Sequence, residues 1–127
     1  MDKILLASVT FLLLQVTATA ADLKAITGTW SGNWTPKGGT MDAVTVELRQ
    51  DEVGKLAGRF VTPARIDFSK VSFNAATQSL SFEATDAKTG KLYKVEAKLK
   101  GTELTGTLTI NETAGEVRLI KWTFFPH

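Results

Sequence analysis

The sequence predicts an all-β chain, an eight-stranded antiparallel up-and-down barrel, preceded by a signal-peptide helix. Three observations carry the prediction. Apolar and polar residues alternate with a period of two along most of residues 26–125, the mark of strands with one buried face. The alternating runs are short and are separated by Gly, Pro, Asn and Asp clusters at hairpin spacing, the pattern of a barrel or sandwich. A glycine phrase also recurs, as Ile26-Thr-Gly-Thr-Trp, Leu56-Ala-Gly-Arg-Phe and Leu104-Thr-Gly-Thr-Leu. Glycine between large residues lets a strand bend or approach its neighbour closely.

The chain opens with a basic residue, Lys3, then a mostly apolar run from Ile4 to Val16, then small residues ending in Ala18-Thr19-Ala20. That is the layout of a secretory signal. The run is shorter than the ~20 residues a spanning helix needs. The expectation is a signal peptide over 1–20, cleavage after Ala20 or Ala21, and one domain over 21–127. The mature protein is then periplasmic or secreted, with no stable membrane anchor. There is no cysteine, so neither a lipid anchor on cysteine nor a disulfide is available, and sheet and core alone must hold the domain.

After a leader over Asp22 to Ala25, strand one runs from about Ile26 to Thr35, with Ile26, Gly28, Trp30, Gly32 and Trp34 in one phase. Pro36 to Gly39 is a loop, because proline and paired glycines punctuate a pattern. Strand two, about Ala43 to Gln50, turns Val44, Val46 and Leu48 inward. Asp51 to Gly54 makes a hairpin into strand three, about Lys55 to Thr62, which Pro63 ends, since proline cannot donate to a ladder. In Arg65 to Asn74, Ile66 and Phe68 keep one phase while Val71 and Phe73 keep the other. A bulge or break near Ser69 and Lys70 is therefore required. Strand five, about Ser79 to Thr85, carries Leu80, Phe82 and Ala84 inward. Strand six, about Leu92 to Lys100, carries Tyr93, Val95, Ala97 and Leu99. Strand seven, about Glu103 to Ile110, carries Leu104, Gly106, Leu108 and Ile110. Strand eight, about Glu116 to Phe125, ends on Ile120, Trp122 and Phe124 as its inward set. Val117 and Leu119 have the opposite phase, so a second bulge is expected there.

This order of motifs resembles a set of exported bacterial β-barrel domains of lipocalin or calycin type. The matching residues are Gly28 to Gly32, Leu48 to Gln50, Leu56 to Phe60, Leu80 to Phe82, Leu104 to Leu108, and Trp122. The resemblance implies a calycin-like fold and no particular activity. The first strand is also similar to that of avidin and streptavidin. Gly32 stands where that family has an asparagine, and the middle strands hold no tryptophan, so no biotin-binding residue is carried over.

The one histidine is His127, the last residue of the sequence, and there is no cysteine. A cysteine nucleophile and a Cys/His zinc site therefore lack their parts, and a Ser-His-Asp site would have to depend on a frayed terminal residue. No P-loop or dinucleotide fingerprint is present. Carboxylate pairs are the catalytic route left, and the candidates are Glu47, Asp67, Glu83 and Glu96, with Asp86 placed near a barrel mouth. Strand phase puts Glu47, Glu83 and Glu96 outside. The reading is non-catalytic, with no cofactor and no metal. The stripe Lys94, Lys98 and Lys100 is interrupted by Glu96, which argues against nucleic acid. Trp30, Trp34, Phe60, Tyr93 and Trp122 are the candidate lining of a cup for a small apolar or aromatic ligand, with core packing as their alternative role. A cavity of roughly 300 Å³ or more near Trp30 and Trp122 is the sign expected of such a cup. The second reading is a protein–protein or inhibitor-like envelope module.

Overall fold

The computed structural model describes residues 19–123. The expected signal segment over residues 1–18, and residues 124–127, lie outside the described residues. Among the described residues one short helix, α1 (Ala20–Ile26), precedes nine strands. These are β1 (Gly28–Pro36), β2 (Asp42–Gln50), β3 (Leu56–Thr62), β4 (Ile66–Asp67) and β5 (Lys70–Asn74), followed by β6 (Ser79–Thr85), β7 (Leu92–Lys100), β8 (Glu103–Ile110) and β9 (Thr113–Lys121).

The strands form one antiparallel sheet in the order β4-β3-β2-β1-β9-β8-β7-β6-β5, curled into a half-barrel. The first and last strands meet in its middle, in register from Trp30 opposite Lys121 to Pro36 opposite Gly115. The two edge strands, β4 and β5, are consecutive in the chain. Between them, Phe68 N–H donates to the Gly58 carbonyl (2.9 Å) and Ser69 N–H donates to the Glu83 carbonyl (2.8 Å). The expected eight strands are thus nine, because the segment 66–74 changes partner at Phe68 and Ser69. The clash of phases in the sequence has this cause.

The inward phase builds the core. Trp30, Phe60, Phe82, Leu80, Leu104, Leu108 and Leu119 are essentially inaccessible, with valines of β2, β7 and β9 between them. Each such side chain stabilises the fold by about 1.5–3 kcal/mol. The glycine phrase has a packing reason. A Cβ on Gly32 would run into the Arg118 carbonyl oxygen and lie 2.9 Å from Leu119 Cα. Backbone and large side chain thus share one layer, with Gly32 opposite Leu119 and Gly106 opposite Val117.

Two readings are corrected. The leader Asp22 to Ala25 is helical, and Ile26 is not a strand residue: both belong to α1. Thr19 caps the helix, its hydroxyl oxygen accepting from Asp22 N–H (3.2 Å) while the Asp22 carboxylate accepts from Thr19 N–H (2.9 Å), a reciprocal capping box. Leu23 and Ile26, three apart, are buried. Trp30 Nε1 donates to the Ile26 carbonyl (2.8 Å), fastening α1 across one end of the half-barrel. Two apolar contacts in one turn are too few to outweigh an alternation that passes smoothly through Ile26.

The second correction concerns β9. Its ladders with β1 and β8 run without a register shift, so the expected second bulge is absent. Val117 and Leu119 face inward, whereas Ile120 and Trp122 stand outside, 50% and 52% exposed. The glycines of β1 and β8 set the inward phase, and those glycines face Val117 and Leu119.

Candidate functional site

The sheet has two unlike ends. One is covered by α1. The other carries the loops 37–41, 63–65, 86–91 and 111–112. At this second end a cleft of about 400 Å³ has an apolar lining of Trp34, Pro63, Tyr93 and Ile110. Its polar lining is Asp42, Lys91, Asn111 and Thr113.

Two of the five expected ligand residues meet here. Trp34 sits near the end of β1, and its indole Nε1 donates to the Leu108 carbonyl (2.7 Å). Gly115 makes room for it, since a Cβ there would lie 2.6 Å from that nitrogen. Tyr93, the second residue of β7, packs its ring against Phe60, centroids 5.2 Å apart. Its hydroxyl makes no hydrogen bond with the described residues, and no buried side-chain oxygen among them lacks a partner, so the hydroxyl reaches the cleft. Burial, and secondarily the Asp86 carboxylate, push the phenol above its ordinary value.

The other three lie elsewhere. Trp30 and Phe60 are fully inaccessible. Phe60 anchors an aromatic cluster in which Phe68 stacks on Phe82 with centroids 4.3 Å apart. Trp122 lies on the outer face, where its Nε1 donates to Ser31 Oγ (2.8 Å). Trp30 and Trp122 are therefore on opposite sides of the sheet and line no common cavity. The cleft at the open end brings together Trp34 and Tyr93 alone of the five.

Asp42, Lys91 and Asn111 were not legible as site residues, because strand phase says nothing about loop and strand-end side chains. Asn111 does carry a local signal, a polar residue between two strands. It has φ +56°, accepts from Leu92 N–H through Oδ1 (3.0 Å) and donates its own N–H to the Leu92 carbonyl (2.8 Å). That leaves its Nδ2 for the cleft. Asp42 opens β2 and Lys91 precedes β7. In the sheet order β1, β9 and β8 separate those two strands, so the curl sets the residues on facing rims. Neither is in an ion pair among the described residues.

The carboxylate candidates lie on the outer wall. Glu47 accepts from Arg59 Nε (2.7 Å), and Asp67 is opposite Arg59 in the ladder of β3 and β4. Glu83 and Glu96 border one shallow outer groove, where Glu83 stands between Lys70 and Lys94 in the ladders of β5, β6 and β7. Asp86 is a turn residue whose carboxylate accepts from Lys88 N–H (2.9 Å). Among the described residues no three His, Cys, Asp or Glu side chains gather as a metal site. None of their helices is long and apolar enough to cross a membrane. Comparison with protein-family models, with curated proteins and with solved structures gave no match to this chain.

Proposed function

We propose that this chain is an exported, non-catalytic β-barrel protein that holds a small apolar or aromatic ligand against Trp34 and Tyr93 at its open end. The observation that carries the reading is the cleft of about 400 Å³ that Trp34 and Tyr93 reach with the small part of each left accessible, 7% and 4%. Small-molecule sites are concave, mostly apolar and carry a few polar groups, typically within ~300–1,000 Å³. The filled interior around Phe60 and Phe82 moves the ligand from the barrel axis to the mouth. Sequential antiparallel order, a plugged end and a cupped end support a lipocalin-like or calycin-like assignment. In that assignment β4, Phe68, Ser69 and β5 act as one kinked strand that closes the barrel. Export rests on Lys3, the apolar run to Val16 and the small residues up to Ala20. Mass spectrometry of protein from the medium or periplasm checks it, with a chain starting at Ala21 or Asp22 expected; that cut removes Thr19 and its capping box and keeps the buried Leu23 and Ile26 of α1.

The binding test is an NMR titration of the isotope-labelled domain with small aromatic compounds. Shifts are expected at the Trp34 indole N–H and at the amides of Tyr93 and Asn111, with those of α1 unmoved. A panel that leaves the open end unmoved at millimolar concentration rejects the reading. Met41 and Leu92, 62% and 40% exposed, favour the second reading, a protein partner docked on the same end. Capture of a partner that survives Met41→Ser with Leu92→Ser would count against it.

A further inference from the structure

We infer that removal of the signal segment and docking of α1 exclude each other: the signal peptidase cuts only a chain whose α1 is undocked, and a chain that folds first keeps the segment. The inference rests on the export reading and adds an order of events to it. The expected cut, after Ala20 or Ala21, falls in the first turn of α1. A protease acts on exposed chain that it can hold extended, away from packed backbone. Here the backbone beside the cut is helical and tied across it. Thr19 N–H donates to the Asp22 carboxylate (2.9 Å), and Asp22 N–H donates to the Thr19 hydroxyl (3.2 Å). Leu23 N–H donates to the Thr19 carbonyl (3.0 Å).

Extending the chain through the cut breaks these three bonds and pulls on Leu23, which is buried, as is Ile26 one turn later. The far end of α1 is held as well. Trp30 Nε1 donates to the Ile26 carbonyl (2.8 Å) and Lys121 Nζ to the Ala25 carbonyl (3.0 Å). The helix therefore cannot slide to follow its first turn, and Leu23 has to leave the core. Burial of one such side chain makes that opening rare by about ten- to a hundredfold, and the cap adds about fivefold. Cleavage of an ordered segment follows the population of its open form when reclosing is fast. After the cut the balance differs. The capping box goes with Thr19, while Leu23, Ile26 and both far-end bonds remain, so α1 closes over the end of the half-barrel with a looser first turn. Cutting is the earlier step and docking the later one.

The experiment gives the folded full-length chain to a purified bacterial signal peptidase in detergent and follows the cut by mass spectrometry. The comparison is a peptide of residues 1–30, in which α1 has no sheet to dock against and is too short to hold its helix alone. The peptide is expected to be cut after Ala20 or Ala21, and the folded chain at least about tenfold more slowly. Asp22→Ala removes one half of the capping box and is expected to speed cutting of the folded chain about two- to fivefold, with no change in the matching peptide. Leu23→Ser is expected to bring the folded chain close to the peptide rate. The Trp30 indole N–H signal reports whether each variant keeps its sheet. If Leu23→Ser does not fold, Asp22→Ala, at a partly exposed position, carries the test alone. Equal rates for peptide and folded parent, or protection that the folded variants leave unmoved, overturns the inference and leaves export standing. If the peptide is not cut at either alanine, export and the inference both fall.

Discussion

Tyr93 is the one tyrosine of the chain, so its phenol can be titrated by phenolate absorbance without interference. Burial first and Asp86 second raise it above the ordinary 10.0, and the folded midpoint is expected above that value. A raised value means that the fold favours the neutral phenol. The associated stability is intact below the unfolded value and is lost as pH climbs through the folded one. A midpoint at or below 10 in the native protein would contradict the placement of the ring. Tyr93→Phe should remove the titration and cost less than about 1 kcal/mol, because the hydroxyl has no protein partner to lose. Trp34 differs. Its buried indole bonds to Leu108 across the sheet, and Trp34→Phe takes that donor away. The expected loss is about 1–3 kcal/mol, read as a lower urea midpoint at unchanged slope.

At the scale of the element, glycines decide where strands can pack. Gly32→Ala places a methyl group into the Arg118 carbonyl, and backbone cannot move aside without breaking the ladder of β1 and β9. A loss of about 3 kcal/mol or more is expected. Gly38, in the loop after β1, has φ +76° and open space around it, so Gly38→Ala costs only local strain, about 1–2 kcal/mol. Equal costs in thermal melts would mean that the close approach of the two strands is wrong. The same contrast explains what the sequence could tell. Strands β2, β6, β7 and β8 were legible because each alternates cleanly and is bounded by turn residues. The partner change at Phe68 was legible as a clash of phases. Helix α1 was hidden, since one capped turn with Leu23 and Ile26 has no periodicity to show. The phase of β9 was misread because Ile120 and Trp122 are large and apolar, while the inward side is fixed by glycines one strand away. Of the candidate site, strand phase gave Trp34 and Tyr93. The rims, Asp42 and Lys91, depend on curl and became visible only with the sheet order.

At the scale of the molecule, the curl brings the sheet's own edges together, and Phe68 is the side chain that fills the seam. It is half-buried, stacks on Phe82 and meets Phe60 edge-on at 5.4 Å. It also fills the space above Gly58, where a Cβ would lie 2.8 Å from its ring. Trp122 is larger, but lies on the outer wall with half its surface in water. Size alone would rank its removal as the more damaging, and position reverses the order. Phe68→Ala is expected to cost roughly 2–4 kcal/mol, near the low end for a core aromatic because the ring is only partly covered. It should also free the short edges β4 and β5 for pairing between molecules. Trp122→Ala should cost about 1 kcal/mol or less and leave the protein monodisperse. Urea melts give the first quantity and light scattering against concentration the second. The effect of Phe68→Ala should reach the open end as well, through Phe60 to the ring of Tyr93, and appear as a lower phenol midpoint once water enters the seam. A variant at Phe68 that melts, scatters and titrates like the parent would mean that the edges are held by backbone alone.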